Sequence, residues 1–150
     1  MADLRPERIG KRRPDDMAIT VHLCRGNYRS GWVAQGGYEP IAEQMFNELE
    51  VDGFFLEYDD DRAGDFQPLR FLPPGKTAVL GMVTTKSGDM ETGDGLKRRL
   101  DEAAQFAPLD QLALSPQCGF ASSTHGNDIS EDAQWAKLEL IVETARAVWG

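Results

Sequence analysis

The sequence predicts an α/β fold: a parallel sheet of four strands, each followed by a helix or a long loop. Three observations carry this expectation. Short apolar runs rich in β-branched and aromatic residues recur along the chain. Amphipathic segments with apolar residues three and four apart alternate with them. The connections after the strand-like runs are long, while those leading into them are short. Strands alternating with helices pair in parallel through right-handed crossovers, and long loops at C-terminal strand ends are where such folds keep their chemistry.

Taken in order, "MAITVHLC" (17–24) predicts the first strand, followed by the glycine-bearing loop "RGNYRSGWVAQGGY". "EPIAEQMFNELE" (39–50) predicts a helix, with Pro40 in its first turn and Ile41, Met45 and Leu49 on one face at spacing four. "VDGFFLEY" predicts the second strand, the loop "DDDRAGDFQPLRFLPPG" follows, and "KTAVLGMV" predicts the third. After "TTKSGDMETG" comes a helix, with Asp94 as its expected N-cap and Leu96, Leu100, Ala103 and Ala107 facing inward. "LDQLALSPQ" predicts the fourth strand. A long helix begins near Ser130, with Leu138, Ile141, Val142, Ala145 and Trp149 as its expected apolar stripe.

A chain of 150 residues is long enough for one domain with a real core. Its net charge of −9 argues against gripping nucleic acid. The exception is a basic lead-in over 1–16, which has no apolar centre of the signal-peptide kind. No apolar run approaches a membrane span. These features lead to the expectation of a cytoplasmic protein without nucleic-acid or membrane partners, in which the two cysteines stay reduced. Neither GxGxxG nor a P-loop occurs, which weakens any nucleotide reading.

The residues with coordinating chemistry fall at matching places. His22 and Cys24 end the first predicted strand, two apart and so on one face. Glu57 ends the second, and Cys118 follows the fourth. Parallel strands bring those ends to one rim. One nitrogen, two sulfurs and one carboxylate form a four-coordinate set suited to zinc, since soft thiolates disfavour magnesium and calcium. Two thiolates and a carboxylate leave such a site slightly anionic. It suits binding and deprotonating an incoming thiol better than activating water. Glu57, the most replaceable donor, would yield its place to the substrate sulfur. Each residue alone has a plainer reading: buried cysteines, a core histidine, a solvated acidic loop. A redox pair of Cys24 and Cys118 is a third.

The motifs "HLC" (His22, Cys24), "FLEYDD" (Glu57) and "SPQCGF" (Cys118, Gly119) resemble the zinc motif of the cobalamin-independent methionine synthase family, in particular its shorter single-barrel relatives. The resemblance runs from about Met17 to Gly150. It implies a (β/α)₈ TIM barrel, of which the four βα units over 17–150 would be the C-terminal half. It implies that zinc binds the thiol of homocysteine, which takes a methyl group from methyltetrahydrofolate. Two departures stand out. Where family members carry a proton-donating histidine, "VTTKSGD" has Lys86, the candidate catalytic residue here, as a cation beside the methyl carrier or an anionic substrate group. A closed barrel also needs roughly 250 residues. The implied partners are a homocysteine-like thiol, a folate-like methyl donor and either a second copy of the chain or a separate N-terminal half-barrel. The alternatives are an inactive zinc-binding fragment and a relative acting on another thiol or donor, such as an epoxide. Arg25 and Asn27 are expected to position substrate or shape a turn, Arg62 and Asp65 to bridge the rim, Tyr28 and Trp32 to stack on a pterin or pack, and His125 to be a loop residue.

Overall fold

The computed structural model describes residues 13–28, 30–33, 36–121 and 123–150. Most of the 1–16 lead-in, and the side chains of Asn27, Tyr28 and Trp32, lie outside the described residues. The elements run β1 (Thr20–Leu23), β2 (Asn27–Tyr28), β3 (Gly31–Trp32), α1 (Ala42–Glu48), β4 (Gly53–Glu57), β5 (Thr77–Val83), α2 (Gly93–Ala103), β6 (Leu112–Pro116) and α3 (Glu131–Trp149). The main sheet has the order β1-β4-β5-β6 and every pairing in it is parallel. The four expected strands are therefore present in sequence order. The first is shorter than its apolar run.

Register assigns the two faces. Val21, Phe54, Ala78 and Leu112 lie in one row across the strands, and Leu23, Leu56, Leu80 and Leu114 in another. These rows enter the core with Phe46, Leu96, Leu100 and Ala103 from α1 and α2. The intervening row, His22, Phe55, Val79 and Ala113, faces the other way and is exposed or half-buried. Two-residue periodicity thus sorts each strand into a helix-packed face and an open face, as in one wall of a barrel. A cleft of about 480 Å³ lies on the open face, lined by Thr20, His22, Phe55, Pro116 and Cys118 among others.

Several local expectations are corrected. The loop after β1 contains a small antiparallel hairpin, β2 with β3; two residues per strand are too few to show alternation. Helix α1 starts at Ala42, so Pro40 precedes it, and Ile41 is its N-cap residue and 49% exposed. The face that packs is Ala42, Met45 and Phe46. The N-cap of α2 is Thr92, whose hydroxyl accepts from the Gly95 N–H, with Asp94 in the first turn. Leu96, Leu100, Ala103 and Ala107 are buried as expected, although Ala107 lies beyond the helix. Ser130 caps α3 by accepting from the Ala133 N–H; such a cap stabilises a helix by about 1 kcal/mol.

The expected apolar stripe of α3 turns inward only in part: Ile141 is buried and Leu138 and Ala145 are half-buried. The helix buries Lys137, Ile141 and Thr144, leaving Val142 46% and Trp149 37% exposed. Lys137 takes one of the inner positions. Its ammonium donates to the Asp89 carbonyl and, at 2.9 Å, to the Glu91 carboxylate, so the buried cation is paired while its stem packs. Glu91 in turn accepts from the Thr84 N–H at 2.7 Å, so this pair fastens the loop after β5 to the last helix. The end of the lead-in is similarly tied: Arg13 and the Ile19 N–H both donate to Asp52.

Gly81 lets the sheet close behind the site. A Cβ there would lie 2.8 Å from the Gln117 Cα and 3.0 Å from the carbonyl oxygens of Leu56 and Pro116, all backbone atoms that cannot swing aside. The β5–β6 register also shifts between Gly81 and Val83, a bulge that puts one extra residue, Met82, into β5. Gly81→Ala is expected to destabilise the fold by about 1–3 kcal/mol, the usual cost of overpacking. Urea unfolding checks this; an unchanged midpoint would refute the close approach.

Candidate metal centre

β1 delivers His22 from its last turn of alternation and Cys24 one residue past its end. The chain then turns at Gly26, which has φ of 83° and would place a Cβ 2.8 Å from that of Val33. That turn aims the Gly26 N–H at Cys24 Sγ, 3.2 Å away. Glu57 is the last residue of β4, and Cys118 lies two past the end of β6. One ligand-type atom from each of His22, Cys24, Glu57 and Cys118 lies within 4.8 Å of all the others. His22 Nε2 is 3.8 Å from Cys118 Sγ and 3.9 Å from Glu57 Oε1. Four strand-end residues spread over nearly a hundred positions of chain thus meet at one point.

The donor set fits a tetrahedral zinc. Bonds of about 2.0–2.3 Å imply ligand–ligand edges of about 3.3–3.8 Å, so the atoms need to draw together by about 1.5 Å at most. Burial pushes the Cys24 thiol up, the Gly26 N–H opposes this, and the charge of Glu57 adds to the rise. Thiols and a carboxylate crowded together repel as anions; a divalent cation among them inverts that logic. The site is also lopsided in exposure. Glu57 is fully buried, whereas His22 and Cys24 are exposed and Cys118 is half-buried. An open side distinguishes a reactive centre from a closed structural one.

Glu57 is held from behind. Its Oε2 faces Arg62, 3.3 Å away, the Arg25 N–H at 3.2 Å, and the Arg25 Nε at 3.5 Å. Its Oε1 accepts from Gln117 Nε2, whose own carbonyl oxygen accepts from the Thr85 hydroxyl at 3.1 Å. Tyr38 completes the backing. Its hydroxyl accepts from the Glu57 N–H at 2.7 Å, and burial raises its pKa to about 12, so it remains a neutral phenol. The Arg25 guanidinium stacks 5.1 Å from the Tyr38 ring centre and donates to the Glu57 carbonyl at 2.7 Å.

Of the other expected residues, Lys86 pairs with Asp59 and, at 3.1 Å, with Asp60, joining the loops after β5 and β4 at the rim. Arg25 and Arg62 converge on Glu57. Arg62 also reaches Asp60 at 3.4 Å, while Asp65 caps the turn at Gln67 by accepting from its N–H at 3.0 Å. His125 is exposed and outside the four-residue cluster. Its neighbour Asn127 donates to the Thr85 and Gly119 carbonyls, tying that loop to the rim. Tyr38, Thr85 and Gln117 were not foreseen. Gln117 had one available signal, its place beside Cys118; Tyr38 had none, because its role depends on a loop folding back over β4.

The profile of the cobalamin-independent synthase catalytic domain matches residues 11–147. The uncharacterized Bacillus subtilis (strain 168) proteins YxjH and YxjG are each 54% identical over 138 residues, which is 91% of this chain but 37% and 36% of theirs. The chain thus spans little more than a third of the length of these curated relatives. A crystal structure from Listeria monocytogenes, assigned as a vitamin-B12-independent methionine synthase, superposes with a TM-score of 0.71 at 40% identity, covering 93% of this chain and 37% of that one. The B12-independent methionine synthase of Shewanella sp. W3-18-1, solved with selenomethionine, shares the fold, with a TM-score of 0.69 at 19% identity over 89% of this chain and 39% of that one. Among the described residues, no helix is long and apolar enough to cross a membrane. The four parallel strands and their helices are half of a TIM barrel, and the chain belongs to the catalytic-domain family of the cobalamin-independent methionine synthases.

Proposed function

We propose that this chain is the zinc-bearing half of a thiol methyltransferase, which moves a methyl group from methyltetrahydrofolate to the sulfur of homocysteine. The observation that carries the proposal is the convergence of His22, Cys24, Glu57 and Cys118 within 4.8 Å at an open rim. When bound, zinc supplies a Lewis acid that favours the thiolate form of an incoming thiol. The protein's own residues do the rest. His22, Cys24 and Cys118 hold the cation. Glu57 is the donor that gives way. Phe55 and Pro116 line the cleft from which the thiol approaches. The methyl group leaves a carrier nitrogen for sulfur, and the thiol proton is the one the carrier must recover. Lys86 enters as the cation at the rim, meeting substrate as part of a Lys–Asp–Asp cluster rather than as an isolated charge. The open face of the sheet, with Phe55 and Val79 half-buried, calls for four further βα units or a second copy to cover it.

The test is spectroscopic. Cobalt-substituted protein titrated with homocysteine is expected to change its visible absorption as sulfur replaces a carboxylate oxygen, with saturation in the millimolar range or below. No change at millimolar thiol would sink the reading of a substrate-accepting centre.

A further inference from the structure

We infer that Arg25 and Arg62 form a berth for the Glu57 carboxylate, and that this berth is what lets Glu57 give up its metal to a thiol. The inference rests on the reading that the four-residue cluster holds a zinc, and adds two positioning residues to it.

The two oxygens of Glu57 face different neighbours. Oε1 faces His22 at 3.9 Å and accepts from Gln117. Oε2 faces the other way, toward the Arg62 guanidinium at 3.3 Å, the Arg25 N–H at 3.2 Å and the Arg25 Nε at 3.5 Å. The side chains of Glu57 and Arg62 have no exposure, and that of Arg25 has 12%. A carboxylate at such depth is costly unless it is paired. In an apolar pocket a carboxylate that left its cation would be buried without a partner, so it would stay bound and keep the fourth position closed to any other ligand. Here Oε2 already accepts from the Arg62 guanidinium and the Arg25 N–H, with the Arg25 Nε in ion-pair range at 3.5 Å. Leaving the metal costs Glu57 one partner of several.

Charge balance points the same way. Two thiolates and one carboxylate around a divalent cation sum to −1, and an added thiolate sharpens the excess. Two arginines against the carboxylate offset it from the side away from the open rim, where they do not obstruct the incoming sulfur. Arg25 is built into the site by its backbone N–H as well as by its side chain, because it directly follows Cys24. Arg62 arrives from the short 3₁₀ turn Asp61–Ala63, capped by Asp60. One ligand strand and one loop thus each contribute a guanidinium to the same oxygen.

The experiment is a double-mutant cycle read by the visible spectrum of cobalt-loaded protein. Arg62→Gln is expected to keep one equivalent of metal and to weaken homocysteine binding about tenfold, equivalent to about 1.4 kcal/mol. Arg62→Lys, which keeps the charge, is expected to recover part of the loss. In a Glu57→Gln background, where no carboxylate needs a berth, adding Arg62→Gln is expected to change thiol affinity less than twofold. Arg25→Gln offers the same comparison if Arg62→Gln does not fold. Wild-type thiol affinity in the fully loaded Arg62→Gln protein would overturn the proposal. So would an equal loss in the Glu57→Gln background, or loss of metal rather than of thiol affinity, since each would make the arginines merely structural. If wild-type protein takes up no metal at these four residues, it is the zinc reading itself that fails.

Discussion

Cys118→Ser, purified under reducing conditions from zinc-supplemented culture, is expected to carry less than about a tenth of the zinc of the wild-type protein, and Cys24→Ser likewise. Removing an outer partner of a ligand commonly weakens metal binding 10- to 100-fold; removing a thiolate ligand should reach at least the upper end. A serine hydroxyl is too weakly acidic to replace it. Glu57→Gln should retain part of its metal, because the amide oxygen keeps a weak donor in place while His22 and both sulfurs remain. Both cysteines lie at the rim, so the urea midpoint of the zinc-free proteins should differ little from that of zinc-free wild type. Elemental analysis decides the matter. Undiminished zinc in either cysteine variant would remove that residue from the ligand set.

The 150-residue chain is expected to associate in solution. Light scattering at micromolar concentration should give a mass at least twice that of one chain. Both outer strands, β1 and β6, present an unpaired edge within the described sheet, and edges of this kind template pairing with another chain. The open face adds Phe55, Val79 and Ala113. Leaving about 400 Å² of apolar surface wet would forfeit about 10 kcal/mol, comparable to the whole stability of a domain. A second copy covers that surface without supplying the substrate contacts of four different βα units. Methyl transfer from methyltetrahydrofolate by the chain alone should therefore be negligible. A stable monomer that unfolds cooperatively would refute the association, and robust turnover without an added partner would refute the incomplete pocket.

The four-residue cluster was more legible than the helices. His22, Cys24 and Cys118 are rare residue types that, like Glu57, lie at strand ends, and parallel topology leaves little freedom in where such ends meet. The stripe of α3 was right only in part: Ile141 is buried as expected, with Leu138 and Ala145 half-buried. Val142 and Trp149 share the apolar spacing yet lie exposed, while Lys137, paired with Glu91, and Thr144 are buried. Similarly, Asp94 and Thr92 are both good capping residues, and only the observed turn selects Thr92.

By itself, then, the sequence determined the strand order along the chain, the alternation of strand and helix, and the four residues able to hold a metal. Those properties follow from local periodicity and residue chemistry, which the chain carries wherever it goes. Tertiary structure alone decided what stands behind Glu57. Arg25, Tyr38, Arg62, Thr85 and Gln117 come from five separate places in the chain and have no common spacing or motif. They converge because a buried carboxylate at the end of a central strand must be satisfied by whatever loops the sheet brings over it.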